Sequence, residues 1–353
     1  MSLASLKSGF EGVKAAGRQG IPAETFKYVG EFAKGVLDLL ASECERKAIR
    51  WRGDGWKSYE VLVRKGTRQP FSRAVNTALF VGDAKAFAGM WAGLAGALDK
   101  GAARKDNIVR NFAGEKIDRA FYTAVIGFAA ATDLYNPGNR GAPGALFEIA
   151  VGAAIALLTG RAEHSQVVLK APESDEEVVV KSDEKTVEEP PPGDEPGAQM
   201  AADGEEDEEE KEGQAKVKTD RCFPGDPTSL IVALKISTRE RISQVSVQQL
   251  ILDKLRPGAF RSILCACNEN NVFGPKGLRK EEKTYDKCWL GDTLVPGTIA
   301  LYHRHVAPFA GIYYLDPPEP YLSGRYRGFP PVKRFRDLLT ADLPMLFGST
   351  SKR

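Results

Sequence analysis

Apolar and polar positions repeat along this chain with two different periods. In PAETFKYVGEFAKGVLDLLASECERKA, Phe26, Val29, Phe32, Val36 and Leu39/Leu40 recur every three or four residues, which predicts an amphipathic helix. SRAVNTALFVGDAKAFAGMWAGLAGALDK and EKIDRAFYTAVIGFAAATDLY continue that period with many Ala and Gly, residues that let helices pack closely. Residues 1–135 are therefore expected to form a helical N-terminal region, ended by the breaker NPGNRGAPG at 136–144. GALFEIAVGAAIALLTG follows. It is shorter than a membrane span and carries Glu148, so a buried helix is expected.

Further along, the period shortens to that of strands. SQVVLKA, AKVKTDRCF, LIVALKIST, SILCACNE, TIALYHRHV and GIYYLDP each read as a strand, and the turn PGDPTS joins the second and third into a hairpin. A helix is expected over about 239–255, and VKRFRDLLTADLPMLF reads as a terminal amphipathic helix. The order strand, hairpin, helix, strand behind a helical half predicts a mixed α/β fold with its core in 136–353. Residues 172–214 interrupt that core. They are acidic, rich in proline and nearly free of aromatics, so burial cannot offset the entropy of ordering them, and a disordered insertion is expected.

Charge sharpens the contrast. Residues 173–212 carry a net −15, so the rest of the chain carries +17 to give the overall +2. A body with that excess attracts a polyanion, nucleic acid first among them. The five scattered cysteines form no paired framework and fit a reducing cytoplasm, and the N-terminus has no secretory pattern. Cys265 and Cys267 are expected on one strand face as packing residues. His303 and His305 are likewise placed on one face of a strand, at the surface. RKEEKTYDK and SGRYRGFPPVKRFR interleave basic and aromatic residues, a pattern shared by phosphate-backbone contacts and ordinary basic loops.

The stretch IVALKISTRERISQVSVQQ, residues 231–249, carries the chemistry. Lys235 closes an apolar strand, where a charge is costly unless it is partnered. The preceding strand supplies Asp220, and a twisted hairpin can bring the two to a common edge. A carboxylate there would suit Mg²⁺, a hard cation with oxygen ligands. A lysine beside it would orient a water and neutralise charge building on a phosphorane. Arg239-Glu240-Arg241 at a helix start can read adjacent G·C pairs, because arginine bonds guanine O6 and N7 together and glutamate accepts from cytosine N4.

Lys235, Ser237-Thr238, Arg239-Glu240-Arg241 and Gln244, in that order, make this segment similar to the catalytic segment of PD-(D/E)xK type II restriction endonucleases. The likeness is greatest to the branch that reads CCGG, CCNGG and CCWGG sites. Ala233 stands where the usual acid would lie two residues before the lysine. That loss fits the branch, whose second acid lies on the following helix. GAPGALFEIAVGAA resembles the family's first core helix, with Glu148 in the place of the glutamate that borders the active site. The resemblance covers roughly 137–170 and 215–270.

The resemblance implies a restriction-endonuclease-like core sheet flanked by helices, and Mg²⁺-dependent, sequence-specific double-strand cleavage of DNA. It implies a catalytic set of Asp220, Lys235, Glu148 and Gln248, with Asp220 and Glu148 holding Mg²⁺. Arg239, Glu240 and Arg241 would read bases, supported by Ser237, Thr238 and Gln244. A homodimer or larger homo-oligomer is expected on a palindromic site, with residues 1–135 helping to dimerise or clasp DNA. A cognate DNA methyltransferase, a cytoplasmic location and no membrane are expected with it. The position thirteen residues after the lysine is Gln248, not an acid. Glu148 and Asp220 then supply the charge, or the site is weakened, or the register is one turn off. Three other readings stand beside this one. The first is a site-specific DNA-binding protein with a degenerate nuclease site. The second is an interaction module with an acidic tail and no DNA affinity. The third is a repair nuclease that prefers structure over sequence, against which the base-reading triplet argues.

Overall fold

The computed structural model describes residues 3–52, 57–104, 114–135, 141–164, 166–170, 177–182, 214–238, 242–277, 279, 282–326 and 329–347. Its N-terminal helices are α1 (Leu3–Arg18), α2 (Pro22–Glu43), α3 (Ala84–Arg104), α4 (Gly114–Asp133) and α5 (Gly141–Thr159). Pro22 opens α2 at a position where its missing N–H costs nothing. The stripe Phe26, Val29, Phe32, Val36, Leu39/Leu40 is buried and packs against α1, α3, α4 and α5. Trp91 of α3 stacks on Phe26 with ring centroids 4.4 Å apart and donates its indole N–H to Phe26 O at 2.9 Å. Gly30 makes that approach possible, since a Cβ there would lie 2.2 Å from the Trp91 ring. α5 is apolar on every side because it is enclosed on every side: Ala142 to Ala156 are all buried, Glu148 among them.

The helical expectation for 1–135 fails between Cys44 and Asn76. There β1 (Cys44–Ala48), β3 (Tyr59–Arg64) and β4 (Pro70–Asn76) form an antiparallel sheet in the order β1–β3–β4. The two residues of β2 (Arg50–Trp51) join a different sheet. In YEVLVR, Tyr59, Val61 and Val63 are all buried, the period of a strand, in a cluster with Ile49, Ala74, Cys288 and Leu290.

The main sheet has five strands: β8 (Arg221–Phe223), β9 (Ser229–Lys235), β10 (Phe260–Ala266), β13 (Gly311–Tyr314) and β14 (Val332–Arg334). Its order is β14–β13–β10–β9–β8; the four strands from β14 to β9 are parallel and β8 is antiparallel to β9. Leu230, Val232 and Leu234 face the helical core, whereas Ile231 and Ala233 pack on the opposite side with α6 (Ile242–Leu255). Alternation places Lys235 on that second side. Lys235, Ala266, Tyr314 and Arg334 are register neighbours, so the carboxyl ends of four strands are level. Ligands of open α/β sheets bind at such an end.

A three-stranded sheet joins β5 (Gln166–Lys170), β6 (Glu177–Ser182) and β7 (Gln214–Thr219). β6 corrects part of the disorder expected for 172–214: the valines 178–180 lie between β5 and β7, and Val180 is fully buried. Residues 171–176 and 183–213 lie outside the described residues. A second small sheet, β11 (Asn270–Phe273), β12 (Trp289–Asp292) and β2, projects beyond the end of β10. TIALYHRHV is not a strand but most of α7 (Pro296–His305), which starts at a proline and buries Ile299. Its alternating His and Arg mimic period two without alternating in burial. The terminal stretch likewise begins as β14 and turns helical only from Phe335 to Leu346, with a π-helical segment at Leu338–Asp342.

Candidate active site

β8 and β9 part company just where Asp220 and Lys235 stand. The last ladder pair is Arg221 with Val232, so the amide of Leu234 has outrun its strand partner. The Asp220 carboxylate replaces the missing backbone acceptor: its Oδ2 accepts the Leu234 N–H at 2.6 Å. The same oxygen accepts from Lys235 Nζ at 2.6 Å. Both side chains are buried, Lys235 8% and Asp220 6% exposed, so the ammonium is partnered as its apolar strand requires. Both bonds fall on the one oxygen Oδ2.

α5, which carries Glu148, packs on β8 and β9. Arg161, just past the helix, donates to Pro224 O at 2.9 Å, and a Cβ at Gly152 would lie 3.5 Å from the Arg221 side chain. Helix and strand thus advance in the same direction. Glu148 lies one turn before Gly152 on the same helix and is buried. Arg221 itself turns away and donates to Glu163 Oε1 at 2.6 Å.

Thr238 is drawn into a deeper cluster that sequence reasoning missed. Glu269, 1% exposed, lies three residues past β10. Its Oε1 accepts the Thr238 N–H at 2.8 Å, the Thr238 hydroxyl in a very short bond, and the Tyr314 hydroxyl at 2.8 Å. Thr293, at the end of β12, donates its N–H and hydroxyl to Glu269 O at 2.6 and 2.8 Å. Burial raises the Glu269 carboxyl above the usual range, opposed by the hydrogen bonds from Thr238 and Tyr314 and by Arg73. Beside it, Asp316 receives Lys57 at 2.6 Å, Tyr59 at 2.9 Å and Asn76 at 3.0 Å, tying the residue 44–76 sheet to the carboxyl end of β13. The only sequence signal was CNEN, three polar residues directly behind a buried strand.

The other expected residues fall as follows. Ser237 and Gln248 are half-buried and Gln244 is exposed, both glutamines on α6. Arg239, Glu240 and Arg241 lie outside the described residues, between Thr238 and the start of α6. Cys265 and Cys267 are buried in the core, where burial raises both thiols well above their usual range. His303 is on a helix, not a strand. Its Nδ1 accepts the Phe309 N–H at 3.0 Å, and burial lowers its pKa.

Among the described residues no three His, Cys, Asp or Glu side chains gather as a metal site. Asp220 and Glu148 offer only hard carboxylate oxygens. Such a set suits a cation that keeps most of its waters, as Mg²⁺ does, rather than zinc.

No protein-family model matches this sequence and no curated protein matches it. The fold, a mixed sheet flanked by helices, is that of restriction endonucleases. The particular likeness is to the type IIP restriction endonuclease Kpn2I: a TM-score of 0.64 and 21% identity, over 99% of each chain. The restriction endonuclease PspGI in its substrate DNA complex matches 68% of this chain and 79% of its own, with 11% identity and a TM-score of 0.34, too slight to align any one element.

Proposed function

We propose that this protein is a type II restriction endonuclease that makes Mg²⁺-dependent, sequence-specific double-strand cuts at a G/C-rich, CC:GG-containing site. The single observation that carries this reading is the 2.6 Å pair of Lys235 with Asp220 at the carboxyl end of the central parallel strands. The likeness to Kpn2I over nearly the whole chain supports it through the fold.

Asp220 and Glu148 would hold Mg²⁺, which when bound would polarise the scissile phosphate and make a water more acidic. Lys235 orients the attacking water and neutralises charge on the phosphate oxygens as the water oxygen bonds to phosphorus and the scissile P–O ester bond breaks, its sugar oxygen leaving as a hydroxyl once protonated. Asp220 keeps the ammonium aimed, and the apolar wall of β9 keeps bulk water from screening it. Arg239, Glu240 and Arg241 read bases in the major groove, and Ser237 and Gln244 support them at the strand end and on α6. Two copies of the chain on a two-fold site would cut both strands, with a DNA methyltransferase protecting the host's own sites.

A digest of sequenced plasmid in Mg²⁺, with the ends mapped, tests the reading. Discrete fragments ending at one repeated sequence are expected, and random degradation or intact DNA overturns it. A second reading, a site-specific binder without cleavage, is favoured by Gln248, a neutral amide where the resemblance expects an acid. Site-specific retention of DNA with no cuts in Mg²⁺ or Mn²⁺ would select it.

A further inference from the structure

The sheet of β2, β11 and β12 turns two different chemistries to its two faces. Trp51, Val272 and Leu290 point inward and pack with Tyr59, Val61, Val63 and Ala74 of the β1–β3–β4 sheet. The other face of β1–β3–β4 is covered in turn, since Leu62, Phe71 and Val75 belong to the helical core. The two small sheets are therefore layers on the N-terminal helices, and β2–β12–β11 is the outer one. Side chains alternate along a strand, so Arg50, Arg52, Trp289, Gly291 and Phe273 share its outward face.

Three of these side chains form a stack. Trp289 and Phe273 are register partners whose rings lie 20° apart in plane, with centroids at 6.4 Å. Gly291 leaves room for them, since a Cβ there would lie 3.3 Å from the Phe273 ring. Arg52 donates its N–H to Leu290 O at 2.9 Å and lays its guanidinium 4.1 Å from the Trp289 ring centre. Stacking uses a face of the guanidinium and leaves its in-plane N–H donors free. It also holds a long side chain that would otherwise sample many rotamers, so an anion meets donors already in place.

Charge decides what such donors would meet. Neighbouring cations of these sheets are neutralised locally: Arg46 by Glu60 at 3.5 Å, Lys47 by Glu45 at 2.8 Å and Arg68 by Asp286 at 2.9 Å. Arg50 and Arg52 are exposed, and among the described residues no carboxylate pairs with either. An unpaired base would stack on a bare indole, but Arg52 already covers this one, so the face suits phosphate.

We infer that the outer face of β2–β12–β11 is a docking surface for the phosphate backbone of double-stranded DNA. Arg50 and Arg52 are its cations, and Trp289 is the positioning residue that holds Arg52. The inference deepens the proposed function and rests on it for the ligand. Backbone contacts add affinity without reading sequence, so this surface grips any duplex.

The test is fluorescence anisotropy in the Lys235→Ala background, which prevents cutting, over a series of salt concentrations. The probes are two duplexes of unrelated sequence and a single strand of the same length; thermal unfolding is recorded alongside. Arg52→Ala should weaken both duplexes equally and reduce the slope of log K against log salt by about one. Trp289→Ala keeps the charge but releases it, and should weaken both duplexes about threefold or more. Trp289→Phe keeps a ring and should recover most of that loss. The double variant Arg52→Ala/Trp289→Ala should bind as Arg52→Ala does, because the indole acts through the arginine. A merely structural Trp289 would lower the melting temperature and add its loss to that of Arg52→Ala, and additive losses overturn the positioning role. Unchanged affinity and slope in Arg52→Ala overturn the surface itself, as does tighter binding of the single strand than of the duplexes. A parent protein that binds no duplex would sink the proposed function as well, so the two failures are told apart.

Discussion

Lys235 Nζ and Leu234 N–H, adjacent in sequence, converge on the same oxygen of Asp220, each at 2.6 Å. One carboxylate thereby both ends a strand ladder and holds a buried cation. Removing the cation has two separable consequences. Lys235→Ala should bind DNA without cutting it. It should also lose about 3 kcal/mol of stability, because Asp220 stays buried without its partner. Gel-shift and cleavage assays check the first and urea denaturation the second. The double variant Asp220→Asn/Lys235→Met, which removes both charges together, should recover part of the lost stability but none of the cleavage.

Metal demand should follow the number of carboxylates. Gln248→Glu adds an acid where the resemblance expects one, and should lower the Mg²⁺ concentration for half-maximal cleavage several-fold. Glu148→Gln should raise it. Titrating cleavage rate against Mg²⁺ decides both. No change in the first variant would mean that position 248 does not face the metal.

The small sheet of β2, β11 and β12 carries exposed Arg50 and Arg52, and Arg52 lies over the Trp289 ring at 4.1 Å. On the proposed function, these exposed cations contact the phosphate backbone of the bound DNA. Replacing both by alanine should weaken binding uniformly across sequences. It should also reduce the slope of log K against log salt by about two. A lost preference for one sequence, with the slope intact, would refute a backbone role.

Asp118 predicts a pH dependence unconnected with cleavage. Its side chain is buried against the C-terminal helical segment, accepting the Arg336 N–H at 2.9 Å. Burial pushes its carboxyl up from 3.8 to about 7, against the Arg336 hydrogen bond. The folded value exceeds the unfolded one, so the favourable contribution is complete below about pH 4 and is lost as pH rises through about 7. Asp118→Asn should therefore gain on the parent between pH 4 and 8, by up to about 4 kcal/mol. Denaturation midpoints at pH 5 and pH 8 measure it. A gap that does not change with pH would show that the group does not titrate there.

The places where sequence reasoning failed share a cause. The alternation of His303 and His305 in LYHRHV predicts a strand, but burial follows Ile299 and the period of a helix opened by Pro296. CERKA, YEVLVR and PFSRAVN are each too short to interrupt the expected helical half, and their sheet is assembled across loops. The acidic context of Val178 to Val180 predicts disorder, whereas pairing on both sides makes them a central strand.

The sequence by itself determined the stripe of α2, the enclosed helix around Glu148, and a lysine at the end of an apolar strand facing an aspartate one hairpin away. Alternation, helical period and hairpin pairing are local, so fifteen residues suffice to bring Asp220 to Lys235. Tertiary structure alone decided that Glu269 would seize Thr238 and Tyr314, and that Lys57 and Tyr59 would reach Asp316 across more than 250 residues. A buried charge accepts whichever donors the packed strands bring to it, and no spacing along the chain records which those will be.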